Sequence, residues 1–250
     1  MADDAKPDDA LVAAVQRGEM LDLSGTDPIA KSARDAWSTD HDIDPERIRD
    51  VLLNATTSKP DPRGLRLKGA RITDRLDLEN ITTTVALELE SCLLVGGINA
   101  RGAQLRDLSL VDCVIVAAAG PAVDAQRLSA NVVQLASTDV TAHAERGAIV
   151  LDGARLDTLV CQGMHVTNAH GPALTAANAA INHDVVLADV DATGFGEPGT
   201  VRLAGAHING QLDLCRAHLT NASGPALHAE GMQVGQGTFL RDGFTASGAG

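Results

Sequence analysis

Across residues 93–137, apolar or small residues alternate with polar ones in a pattern that renews every five positions: LLVGG, INARG, AQLRD, LSLVD, CVIVA, AAGPA, VDAQR, LSANV, VQLAS. The first residues of these groups are Leu93, Ile98, Ala103, Leu108, Cys113, Ala118, Val123, Leu128 and Val133. The third residues are Val95, Ala100, Leu105, Leu110, Ile115, Gly120, Ala125, Ala130 and Leu135. Both columns are small or apolar, and the positions between them (Asn99, Gln104, Ser109, Asp124, Ser129, Gln134) are mostly polar. A helix of about 3.6 residues per turn cannot keep such a spacing on one face. A short strand and a turn can, because residues two apart share a face and the remaining positions turn the corner. The pattern therefore predicts a β-solenoid with both columns inside.

The frame resembles the pentapeptide-repeat family, whose groups carry a small residue, Asp or Asn, then Leu. The resemblance starts at Leu65 (LRLKG, ARITD), slips at Arg75 and resumes at Leu76-Asp77-Leu78. It runs again over 149–183 and from Val201, slips at Gln211 and continues to Gln236. It implies an all-β fold, a right-handed quadrilateral parallel β-helix in which four groups close one coil. On that count about nine coils fit between Leu65 and Phe244, a rod on the order of 40 Å at the usual strand spacing. A longer period overlies the short one, since Gly120-Pro121-Ala122-Val123, Gly171-Pro172-Ala173-Leu174 and Gly224-Pro225-Ala226-Leu227 open matching stretches.

Residues 1–62 do not repeat and are expected to form a small α-helical N-terminal cap with a disordered start; residues 63–250 form the solenoid. Asp44-Pro45-Glu46 is a helix start, with Asp capping and Pro in the first turn, followed by an apolar stripe of Ile48, Val51 and Leu52. Asp27-Pro28 opens a second expected helix carrying Ala30, Ala33 and Trp37, and Leu11, Val12 and Val15 mark a third. The first coil of a solenoid is an open β-edge over an apolar interior. The cap is expected to close it at Leu65, with Trp37 and Leu52 packed toward the rod.

Composition narrows the ligands. Aromatic residues make up 2% of the chain and Tyr is absent, so no stacking platform exists for single-stranded nucleic acid. The 33 acidic against 20 basic residues repel phosphate, although residues 1–62 alone hold 14 acids and 7 bases. No apolar run approaches the ~20 residues of a membrane span, and the N-terminus has no secretory pattern; a cytoplasmic protein without membrane insertion is expected. Cys92, Cys113, Cys161 and Cys215 lack CxxC spacing and read as buried, reduced thiols.

Candidate chemistry is sparse. His165, His170, His207, His218 and His228 fall at outward positions, and the spacing of His207 and His228 is close to one coil, so these two are expected to stack on adjacent coils as a candidate metal pair. Two ligands do not make a metal site, and no metal or cofactor is expected. Gly235-Gln236-Gly237 lacks the third glycine of a dinucleotide fingerprint, and no nucleophile elbow or phosphate-binding loop occurs. No catalytic residue is therefore assigned, although the chain is also similar to bacterial repeat proteins labelled membrane-associated oxidoreductase.

The leading reading is a non-catalytic scaffold or protein-interaction rod whose protein partner is unknown. Resemblance to pentapeptide-repeat proteins that imitate duplex DNA implies an alternative, modulation of a type II topoisomerase, through Asp77, Glu79, Glu88 and Glu90. Arginines at 63, 66, 71, 75, 101 and 106 interleave with those acids, and a mixed face imitates phosphate poorly. The last coil is expected to present an apolar end near Leu227, Met232, Val234 and Phe239. Either a second rod meets it through Phe239 and Phe244, giving an end-to-end homodimer, or the chain is the front of a longer array.

Overall fold

The computed structural model describes residues 7–26, 29–53 and 60–249. The repeats wind into a parallel β-solenoid of four faces, compatible with a pentapeptide-repeat fold. Face 1 begins with Leu65–Lys68 and face 2 with Arg71–Ile72. Face 3 begins with Leu76–Asp77, and face 4 with the isolated bridge of Thr82 to Gln104. Faces 1 and 4 merge into one 12-stranded sheet, while face 2 has 9 strands and face 3 has 7. Ser129–Gln134 and Arg155–Val160 run from face 4 into face 1 without a break, which is why those two faces share a sheet.

The in-register residues of face 1 are Leu65, Leu87, Leu108, Val133, Leu159, Val185, Leu212 and Thr238, eight rows. The expected nine coils become eight because a coil is longer than four groups of five. The first two steps, Leu65 to Leu87 and Leu87 to Leu108, come close to the expected length, whereas every later step, from Leu108 to Val133 onward, holds about one more group. The extra residues enter at the corner between faces 2 and 3. Val95 and Ile98 are joined there by Gly96-Gly97 alone, whereas their partners in the next coil, Val116 and Val123, are separated by residues 117–122. Gly97 has φ +76°, and a Cβ on it would lie 2.2 Å from the Ala122 carbonyl oxygen, so this tight corner requires glycine.

The loop explains where the sequence frame fails. AAGPA keeps the five-residue spacing but is the corner insertion itself, so Ala118 and Gly120, expected inside, are exposed. Val95, ahead of the loop, fails for a different reason: Leu93 pairs with Val114 and Leu94 with Ile115, so the group is one residue out of register, Val95 is 40% exposed and Leu94 is fully buried. Elsewhere the columns hold: Leu108, Leu110, Cys113, Ile115, Val123, Ala125 and Leu128 are fully buried in one continuous core.

The Gly-Pro-Ala marks belong to pairs of coils. Asn168 lies buried at the corner and uses its side chain as a clasp: Oδ1 accepts from the Ala144 N–H at 2.9 Å, and Nδ2 donates to the Ala144 and Pro172 carbonyls at 2.7 Å each. Two coils later Asn221 donates to the Gly196 and Pro225 carbonyls at 3.0 Å each. In the coils next to these, Ala142 and Gly194 stand in the same register.

At the start, helix α1 (Pro7–Arg17) and helix α2 (Pro45–Leu52) bury Leu11, Val15, Ile48, Val51 and Leu52 in the same core as Leu65. The α2 start follows the sequence, since the Asp44 carboxylate accepts from the Glu46 N–H at 2.9 Å and Pro45 occupies the first turn. The cap is more than helical, however. Strand β1 (Met20–Asp22) pairs with strand β3 (Leu65–Lys68) of face 1, and strand β2 (Asp42–Ile43) pairs with Arg71-Ile72 of face 2. The expected disordered start and the Asp27-Pro28 helix opening lie outside the described residues. The segment after them is a 3-10 helix, Lys31–Ala36, in place of an α-helix. Trp37 is buried and stacks on His41 at 4.5 Å between ring centroids.

Candidate functional surfaces

The thiols lie inside the tube. All four cysteines are buried and none is in a disulfide. Burial pushes the Cys161 thiol up to about 12 and the Cys113 thiol well above its ordinary value, where the neighbouring Cys92 adds to the effect. These two groups are therefore protonated thiols, poor nucleophiles and poor metal ligands.

The histidines do not form the expected pair. His207 lies on face 4, between Ala180 and Gln233, whereas His228 lies on face 3 below Arg202. Their sequence separation matches a coil only at the start of the rod, where Leu87 pairs with Leu108; here a coil runs from His207 to Gln233 and passes His228 on the way. Among the described residues, no three His, Cys, Asp or Glu side chains are grouped to hold a metal.

Two of the four acidic candidates, Glu88 and Glu90, are paired with bases. Along face 1, Arg66 meets Glu88 at 3.0 Å and Lys68 meets Glu90 at 2.8 Å. On face 3 the Asp77 carboxylate accepts from the Asn99 amide at 2.9 Å and from the Glu79 N–H at 3.0 Å. Further along the rod Arg216 forks onto Asp189 at 2.6 and 2.8 Å, which holds that carboxyl below its usual range. Along face 1 acid and base thus stand on successive rungs, and Glu88 and Glu90 do not form an uninterrupted negative stripe.

Face 2 carries an ordered outer surface that a five-residue scan does not reveal. Val116, Thr141, Thr167, Thr193, Thr220 and Ser247 stack in register and are all exposed. Beside them runs an alternating column of Asp139, His165, Asp191 and His218, ending at Thr245. Its sequence signal was present as Asp-Val-Thr, His-Val-Thr, Asp-Ala-Thr and His-Leu-Thr, one triplet per coil. The N-terminal segment crosses the near edge of this face. Lys31 reaches Asp139 at 2.7 Å and the Ser137 carbonyl, and the buried Arg34 holds both the carboxylate and the carbonyl of Asp112.

The corner loops also build a wall beside face 3. Gly147 folds over Val150 and Thr175, which are buried although they occupy outward positions. Thr175 donates to Asp152 at 2.6 Å in the floor of an open depression of about 450 Å³, bordered by Arg146, Glu197 and Arg202. Its lining carries both acidic and basic groups.

The last described coil differs from the body of the rod. Leu227 and Val234 are half-buried, whereas their partners in the preceding coil, Val201 and Ile208, are buried. Met232 and Phe244 are likewise half-buried against the core, and Leu240 is 48% exposed. Phe239 pairs in register with Asp213, on the outer flank of face 1, and the Arg241 guanidinium lies 4.8 Å from its ring centre. The apolar end is therefore made by Leu227, Met232, Val234 and Phe244, while Phe239 stands at its rim. No family model matches the chain, and no curated protein or solved structure is significantly similar to it.

Proposed function

We propose that the chain is a non-catalytic scaffold, a rod of residues 63–250 with residues 1–62 as its cap, and that it binds protein through its last coil. The observation that carries this reading is the half-buried state of Leu227, Met232, Val234 and Phe244 beside strands that end each sheet. Open β-edges over an apolar interior pair readily with another chain. A second copy is the occupant that fits, because it presents the same square outline and the same apolar positions, and a twofold contact needs only that self-match. Rung-by-rung charge pairing on face 1 supports a scaffold over an imitation of duplex DNA.

Light scattering after size exclusion tests the reading. A dimer at tens of micromolar is expected for the purified chain, and Leu240→Asp or Phe239→Asp is expected to shift it toward monomer with its β-rich circular dichroism unchanged. A chain that stays monomeric at this concentration, or a dimer indifferent to both substitutions, would overturn it.

A further inference from the structure

The depression beside face 3 is built by an alternation in the corner loops. The loop of residues 169–173 is one residue shorter than the loops of residues 143–148 and 195–200 in the coils on either side. The two longer loops lean over the face: a Cβ on Gly147 would lie 3.1 Å from the Thr175 methyl, and one on Gly199 would lie 3.1 Å from the His228 Cβ. Between them the shorter loop leaves a notch of about 450 Å³ whose lining includes Asp152, Pro172 and Arg202.

Two opposite charges are fixed in this notch and do not meet each other. Asp152 turns its carboxylate onto the next rung, where Oδ1 accepts from the Thr175 hydroxyl at 2.6 Å and from the Ala177 N–H at 2.8 Å. Thr175 is buried, so this anchor is under cover and orients the carboxylate, while Oδ2 has no partner among the described residues. Arg202 stands one rung further on, in register with Thr175. It is half-buried and holds no acceptor. Every other half-buried arginine among the described residues holds a carboxylate or a carbonyl, as Arg75 holds the Gly96 and Pro121 carbonyls. Arg202 and Asp152 thus line one depression without forming an ion pair, and Arg146 stands 4.0 Å from Asp124 outside the lining. A guanidinium drawn partly out of water without an acceptor is costly, and a bound anionic group relieves that cost.

The geometry points to a binding site for a free α-amino acid, held by its zwitterionic backbone. The ligand carboxylate would meet the Arg202 guanidinium, whose paired donors match two oxygens, and the ligand ammonium would meet Asp152 Oδ2. One strand spacing of about 4.8 Å separates the two rungs, and a single carbon separates the ligand's charges, so both contacts can form at once. A simple anion fits less well because Glu145, Asp152 and Glu197 line the notch, and a simple cation meets Arg146 and Arg202. The notch is open outward, which leaves the ligand's side chain in solvent and the site largely indifferent to its identity.

Titration of the isotope-labelled full chain, followed by two-dimensional NMR, tests the site. L-Alanine is the ligand; alaninamide, which lacks the carboxylate, and propionate, which lacks the ammonium, are the controls. The Ala177 amide, bonded to Asp152, reports occupancy. L-Alanine should shift it saturably in the millimolar range, with both controls tenfold weaker or more. Arg202→Gln gives up no internal partner and should melt with the parent chain while weakening L-alanine tenfold or more; Arg155→Gln on face 4 should change nothing. The control series uses the unaltered chain and does not depend on the variant folding. No saturable shift at tens of millimolar, a control that matches L-alanine, or binding that survives Arg202→Gln would each overturn the proposal.

Discussion

The first and the last described coils carry the same kind of β-edge and treat it differently. At the start, β1 and β2 add one non-repeating row to faces 1 and 2, and α1 and α2 drop Leu11, Val15, Val51 and Leu52 onto the open tube. At the other end, the equivalent positions are only half-buried and the last strands have a partner on one side. The difference shows what closure requires. A helix alone covers apolar side chains but leaves backbone N–H and C=O groups unpaired, and a strand alone does the reverse. The cap supplies both from residues that obey no five-residue rule.

Truncating one core leucine at each end measures this asymmetry most directly. Leu52→Ala should lower stability by about 2–5 kcal/mol in urea denaturation, because it opens a cavity under the cap. Leu227→Ala should cost less than half as much; equal losses would mean that the two ends are equally closed in solution. Within the body, Ala125→Leu should overfill the tube and cost about 1–3 kcal/mol, while Ala118→Leu in the exposed corner loop stays close to neutral. Asn168→Ala, which strands the buried Ala144 N–H, is expected to cost about 1–3 kcal/mol by the same measurement.

Smaller effects come from protons. Asp22 in the cap is held below its usual value chiefly by the Ser24 hydroxyl, and Asp189 in the body by Arg216. For a carboxyl lowered in the folded state, the stabilisation is present above the ordinary value of 3.8 and is lost as pH falls through the folded value. The urea midpoint should therefore hold steady down to about that value and drop below it, and Arg216→Gln should shrink the drop. Cys161, raised to about 12 by burial, should resist iodoacetamide in the native protein at mildly alkaline pH and react after denaturation.

Much of this architecture is legible in the chain, and most misreadings within the solenoid share one cause. Leu108 through Ile115 and Val123 through Leu135 fall where the five-residue frame puts them because each group is one strand and one bend. Ala118 and Gly120 break it because a loop of nearly one group in length is invisible to a scan of period five. That hidden loop also lengthens every later coil, and so separates His207 from His228 and hides the threonine ladder of face 2.

The contacts of Lys31 and Arg34 have a mechanical consequence. Hydrogen bonds between coils lie along the axis of the rod, so tension applied to its two ends would peel coils in series. Each of the longer coils would release about 80–90 Å of contour at ~3.4 Å per residue. Coils beyond His165 are held only by their neighbours and would come away singly. Those up to Asp139 are lashed to the cap by the two side chains that reach Asp112, Ser137 and Asp139. They would resist until the lashing fails and then give way together, so that a stretching trace shows a train of short steps and one long rupture.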